Sequence, residues 1–273
     1  MAMWSFTEQE QETPSKLRPS EICFSQKEVY HRFRRRSGHG HRTIGDTLDD
    51  IVEGRLHVTS LPTINVKEEE DEVTGVEEEN DEVGKRKKKK TRWITADNRR
   101  LWIFRHLERL GRCNEVSYIK VGYIDEMKRS SENRGASVEI KHGARPGGYW
   151  HEAPDVTYID PMNVKFTNNF IQMTFTAGGH FGVNVQTLVE KLESGELEFK
   201  VIPSIVVWDD GTSLRVIDGN RRLWAFQQAE QSKIAAIVIK DRQFLNNTIQ
   251  RMIGQFLIDL NSGYNRDEIT TEL

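Results

Sequence analysis

Apolar positions along the chain follow two periods, and each period occurs twice in the same order. In Ile44–Gly54 (IGDTLDDIVEG) and Val185–Gly195 (VQTLVEKLESG) apolar residues fall at helical spacing and end on glycine, the usual residue just past a helix C-terminus. Eight residues after each glycine comes a proline, Pro62 or Pro203. A short β-branched strand follows, Thr63–Val66 in one place and Ser204–Val207 in the other. Next come Trp93–Trp102 and Arg215–Trp224, sharing the pentad Asn-Arg-Arg-Leu-Trp and running into a helix, and a closing strand at Ser117–Val121 or Ala235–Ile239. Before the first helices, Pro19, Ile22 and Phe24 match Pro161, Val164 and Phe166. The pattern predicts one unit used twice: strand, helix, hairpin, helix, strand.

The predicted organisation is a disordered tail at 1–15, a first unit at 16–121, a connector at 122–157, a second unit at 158–240, and an amphipathic helix with a tail at 241–273. In that helix Phe244, Leu245, Ile249, Met252, Ile253, Phe256, Leu257 and Leu260 recur every three or four residues and are expected to pack on the second unit. The second hairpin turns at Asp209–Thr212, a good turn sequence, whereas the first holds a charged insert at 67–92 in the same place. The insert runs from Glu68–Glu72 to Lys85–Lys90 and is expected to be disordered. Its basic end reads equally as a nuclear-import or phosphate-contact segment and as a solvated charge run. The connector holds Gly, Pro, His and Arg without clear periodicity.

Composition narrows the classes. A length of 273 residues suits two domains, and 36% hydrophobic residues with a mean hydropathy of -0.64 leave room for solvated segments. A net charge of -3 gives no bulk attraction to nucleic acid, so local clusters must carry any such role. Two cysteines, Cys23 and Cys113, provide neither a disulfide framework nor metal-site spacing, which points to a reducing compartment and an intracellular protein, cytoplasmic or nuclear. The polar segment Met1–Pro14 is no secretory signal, and no run approaches the ~20 apolar residues of a membrane span.

Two constellations could carry chemistry. Asp97-Asn98-Arg99-Arg100 and Asp218-Gly219-Asn220-Arg221-Arg222 sit where a strand ends and a helix begins. There, unpartnered backbone N–H groups and the helix dipole attract anions, and arginine supplies planar donors for phosphate. Gly219 would let a ligand approach the backbone closely. The structural alternative is that Asp97, Asn98, Asp218 and Asn220 are N-caps, with the arginines solvated or ion-paired. The loops before the first helices hold Arg34–Arg36 and Gly38-His39-Gly40-His41-Arg42 in one unit, Gly178-Gly179-His180 in the other. His39, His41 and His180 could act as acid or base, with Arg42 beside them; the plainer reading is an exposed loop. No metal ligand cluster is evident. Trp102, Trp224, Phe104 and Phe226 read as core.

A strand, a DGNRR turn and a helix in a unit of this order resemble the ParB/sulfiredoxin superfamily. ParB proteins carry Gly-Glu-Arg-Arg where this chain has Gly219-Asn220-Arg221-Arg222 and Asp97-Asn98-Arg99-Arg100; sulfiredoxins carry Gly-Cys-His-Arg. The form of the first unit is similar to ParB-like domains of bacterial polymorphic toxins, often proposed to be nucleases. The resemblance implies an α/β (α+β) fold of two tandem ParB/sulfiredoxin-like domains, each a small mixed sheet with packed helices. It also implies a phosphate site at the two turns, with His180 facing the second. Asn98 and Asn220 stand at the sulfiredoxin cysteine, which argues against sulfur chemistry. They also replace the ParB glutamate, which weighs against magnesium-dependent triphosphate handling. No helix-turn-helix region follows, which argues against a partition role.

The expected function is phosphate-ligand binding, of a nucleotide or nucleic acid, with nuclease or phosphoryl-transfer activity as an enzymatic extension and a nucleotide with Mg2+ as the candidate cofactor. The alternative is an inactive duplicated scaffold that meets a protein partner through the charged insert or the C-terminal helix.

Overall fold

In a computed structural model the protein is described at residues 15–33, 42–70, 91–167, 171, 173, 184–247 and 249–250. The first unit contains β1 (Ser15–Leu17), β2 (Ile22–Phe24), β3 (Glu28–Val29), α1 (Ile44–Val52), β4 (Ile64–Glu70), β5 (Thr91–Thr95), α2 (Asn98–Arg109) and β6 (Val116–Lys120). A connector follows with β7 (Glu139–Ile140). The second unit contains β8 (Thr157–Ile159), β9 (Val164–Lys165), α3 (Val185–Glu193), β10 (Ile205–Asp209), β11 (Leu214–Asp218), α4 (Asn220–Gln228) and β12 (Ile234–Ile239).

The two five-stranded sheets have the same pattern. One runs β1-β6-β4-β5-β2 and the other β8-β12-β10-β11-β9. In each, the outer strand pairs antiparallel, the next pair is parallel, the hairpin is antiparallel and the last pair is parallel. The protein is therefore two tandem small mixed sheets with packed helices. Gly54 and Gly195 follow α1 and α3 at φ 75° and 71°, the left-handed stop that glycine adopts without a Cβ clash.

The units share a core. One face of the second sheet packs Ile205, Val207, Val216 and Ala236 under α3 and α4. Its other face sends Val206, Ile237 and Ile239 into the first unit's core. α2 lies in that shared core and buries Leu101, Trp102, Ile103, Phe104 and Leu107, more than one stripe of its surface. The two carbonyls just past its end meet the second unit: Ser204 donates from N to Gly111 O (3.0 Å) and from Oγ to Leu110 O (2.6 Å).

Two regions differ from the sequence expectation, the hairpin and the C-terminal segment, and the connector between the units is ordered. The hairpin extends into the range 67–92: Lys67 opposes Ile94, Glu68 opposes Trp93, Glu69 opposes Arg92 and Glu70 opposes Thr91. Glu69 is 17% exposed and is held by Lys67, Arg92 and Arg129, which gives the strand a reason to continue through an acidic run. Burial would raise its pKa, but hydrogen bonds from Arg129 and Lys67 outweigh that and hold it at about 2.

The connector is fastened to the first unit at both ends. Gly135 lies on the backbone of Phe24, which donates to its carbonyl at 3.0 Å. Trp150 is 2% exposed, and Asp49 of α1 accepts the backbone N–H groups of Tyr149 (3.1 Å) and Trp150 (3.0 Å). Trp150 Nε1 also donates to Glu53 (3.0 Å). The helical segment at 242–247 sets Phe244 against this connector, 5.4 Å from Tyr149 and 5.7 Å from Trp150 between ring centroids, so it does not pack on the second unit alone.

Candidate functional site

Each Asn-Arg-Arg turn opens a helix, and in each the second arginine is a structural clamp. Arg100 donates to Pro62 O (3.3 Å) and Thr63 O (2.6 Å) and pairs with Asp97 at 3.0 Å. Arg222 donates to Pro203 O and Ser204 O (3.0 Å each) and pairs with Asp218 at 3.1 Å. The matched prolines thus mark where an arginine ties the helix start to the strand entry.

The caps of the structural alternative are not formed. Asp97 accepts from Asn65 N at 2.9 Å, and Asn98, 2% exposed, turns to Ser25: its Oδ1 accepts Ser25 N (2.9 Å) and its Nδ2 donates to Ser25 Oγ (3.0 Å). Neither α2 nor α4 has a side-chain cap at its start. By contrast Thr43 caps α1 through Asp46 N, and Asn184 caps α3 through Gln186 N. The two NRR helices therefore begin with uncapped N–H groups, the condition that favours an anion.

The turns differ in their surroundings. Arg99 donates to Arg32 O at 2.5 Å and lies over the Phe33 ring at 5.6 Å, which places it at the stem of the loop between β3 and α1. That stem closes where Phe33 N donates to Arg42 O (3.3 Å) and Arg32 bridges Thr43. Arg42 itself is paired with Asp50. In the second unit Gly219, at φ 97°, stands in the cap position with Asn220 and Arg221 buried behind it. Among the described residues the amide atoms of Asn220 have no hydrogen-bond partner. Asp218 also takes Arg112 from the first unit, at 2.9 Å. Burial would raise the Asp218 pKa, but Arg222 and Arg112 outweigh it and hold the carboxyl below the usual range.

His39, His41 and His180, the candidate acids and bases, lie outside the described residues, as does the basic run Lys85–Lys90. Among the described residues no group of His, Cys, Asp and Glu could hold a metal, and no helix is long and apolar enough to cross a membrane. His106, stacked on Trp102 at 4.1 Å, is pushed down to about 3 by burial and by Arg109, and stays neutral. Trp102, Phe104 and Phe226 are buried and Trp224 is partly buried, as core residues.

No protein-family model matches the chain, and none of the curated proteins matches it. Solved structures do. C-terminally truncated ParB from Caulobacter crescentus complexed with CTP-gamma-S is 18% identical, over 34% of this chain and 50% of that one, at a TM-score of 0.23. Sulfiredoxin from Arabidopsis thaliana is 14% identical, over 35% of this chain and 98% of that one, at 0.24. The same ParB complexed to the centromeric parS site is 18% identical, over 40% of this chain and 51% of that one, at 0.22. The chain thus spans about half the length of the ParB chains it matches. At these identities and TM-scores the likenesses carry no superfamily, ligand or activity over to this chain.

Proposed function

We propose that the two units are copies of one fold and that the chain binds a phosphate-bearing ligand, a nucleotide or a nucleic acid, at the uncapped start of α2. The capping pattern carries this reading: of α1 to α4, the two helices that begin with Asn-Arg-Arg lack side-chain caps. At α2, Arg99 adds a half-buried guanidinium beside those N–H groups, a donor set suited to phosphate oxygens. The second turn, closed by Arg112 and Arg222 on Asp218, has the structural share of the duplication. Cleavage or phosphoryl transfer would use His39 or His41 as acid or base, with Mg2+ on a nucleotide as the cofactor.

The test is titration of the full chain with a nucleotide panel and short oligonucleotides, with and without magnesium. Arg99→Ala should weaken binding about tenfold or more, because a charge-assisted hydrogen bond contributes roughly 1.5–3 kcal/mol. The scaffold reading is favoured by one observation, the use of both second arginines as clamps; it predicts no phosphate ligand for the wild type.

A further inference from the structure

The connector carries a surface that the two turns do not use. β3 and β7 pair in parallel, with Glu28 opposite Glu139 and Val29 opposite Ile140, so Tyr30 and Lys141 emerge side by side. Lys141 Nζ lies 3.1 Å from the Tyr30 hydroxyl and 4.7 Å from its ring centroid, while the tyrosine stays 57% exposed. Beyond Tyr30, His31 O accepts Ile44 N at 2.8 Å and Arg32 bridges Thr43. The connector returns to the same place: Pro146 O accepts Gly45 N at 2.9 Å, and Gly147 lies so close that a Cβ there would stand 2.1 Å from Thr43 Oγ1. Arg145 thus precedes the residue that meets Gly45, two positions along the chain from the Thr43 that Arg32 bridges. Arg32, His142 and Arg145 are exposed. Among the described residues no carboxylate pairs with any of them or with Lys141.

We propose that Tyr30, Arg32, Lys141, His142 and Arg145 form a track for single-stranded nucleic acid. The cations follow the phosphates and the open face of Tyr30 stacks a base. This rests on the reading of the chain as a phosphate-ligand binder and extends it to a polymer. The arrangement suits a single strand because a duplex offers an aromatic side chain no open base to stack on, whereas cations interleaved with a ring are the general means of holding unpaired bases. Glu28 and Glu139 bound the track at one end by repelling phosphate.

The experiment is fluorescence anisotropy on the full chain with a labelled oligo-dT of about 12 nucleotides, an abasic strand of equal length and a duplex, at several salt concentrations. The wild type should prefer oligo-dT over both. Tyr30→Ala should weaken oligo-dT about tenfold, leave the abasic strand within about twofold, and be rescued by Tyr30→Phe. Arg32→Ala with Arg145→Ala should weaken both strands and lower the salt slope by about 1.4, two phosphates' worth. All variants should melt with the wild type, since these side chains are exposed. The track is overturned if the wild type binds no strand, if Tyr30→Ala does not discriminate oligo-dT from the abasic strand, or if the arginine pair leaves the salt slope unchanged. Mononucleotide binding lost in Arg99→Ala but kept in the track variants, with strand binding unaffected by them, would remove the track and leave the α2 site standing.

Discussion

The two Asn-Arg-Arg turns share a sequence and a framework, yet they are finished differently. In both, the second arginine grips the carbonyls of a proline and its successor, Pro62 and Thr63 or Pro203 and Ser204. The carboxylate that steadies this grip is Asp97, three residues before its arginine, in the first unit and Asp218, four residues before, in the second. The offset exists because Gly219 adopts a left-handed conformation between them, where an added Cβ would stand 2.6 Å from Ile205 Cγ2. Arg112 then crosses from the first unit onto Asp218, and no equivalent arrives at Asp97 among the described residues. Persistence of the second arginine is therefore explained by the clamp alone. A ligand role must be sought where the turns diverge, at Arg99, which reaches the stem of the loop before α1 while Arg221 is buried.

That contrast can be broken by substitution. Asp218→Asn removes the anion between Arg112 and Arg222, whose side chains are 10% and 13% exposed. It should cost about 3–5 kcal/mol in denaturant unfolding, because a buried guanidinium is left uncompensated. Ile237→Ala empties a fully buried position on the face shared with the first unit and should cost about 2–5 kcal/mol. Tryptophan fluorescence and far-ultraviolet circular dichroism should still report one coincident transition; two separated transitions would refute the shared core.

A pH titration separates Glu69 from the turns. Its folded pKa is lowered from 4.5 to about 2, so its contribution is present above about 4.5 and is lost as pH falls towards 2. Stability followed by urea melts should fall by at most about 3 kcal/mol over that window, and Glu69→Gln should remove this dependence. Asp97→Asn should have the smallest effect, about 1 kcal/mol or less, because it leaves one guanidinium rather than two, and Arg100, 25% exposed, keeps the carbonyls of Pro62 and Thr63. A loss equal to that of Asp218→Asn would make the two turns equivalent after all.

The strand and helix order was legible because glycine and proline punctuate it: Gly54 and Gly195 stop helices, and Asp209–Thr212 turns the second hairpin with Gly211 at φ 84°. The matched pentad located both helix starts. The structural alternative was right about pairing, as Asp97 and Arg100 show, but not about caps, because Asp97 and Asn98 turn to Asn65 and Ser25, tertiary partners that no local rule anticipates. The shared core left a trace: Ile205–Trp208 and Ile234–Ile239 are continuously apolar, as strands buried on both faces are, whereas Ile64–Glu70 turns polar and charged after Val66. The connector was opaque because its order comes from single long-range contacts, Trp150 with Glu53 and Gly135 with Phe24, rather than from periodicity.

The central claim is that Arg99 serves a ligand while Arg100 serves the fold. Its most direct test is to melt Arg99→Ala and Arg100→Ala beside the wild type, with and without a saturating phosphate ligand from the panel. Arg99→Ala should melt closer to the wild type than Arg100→Ala does and lose the ligand-induced rise, while Arg100→Ala should melt lower in both conditions and retain a rise. Arg99→Ala melting well below the wild type with its ligand-induced rise intact would contradict the claim.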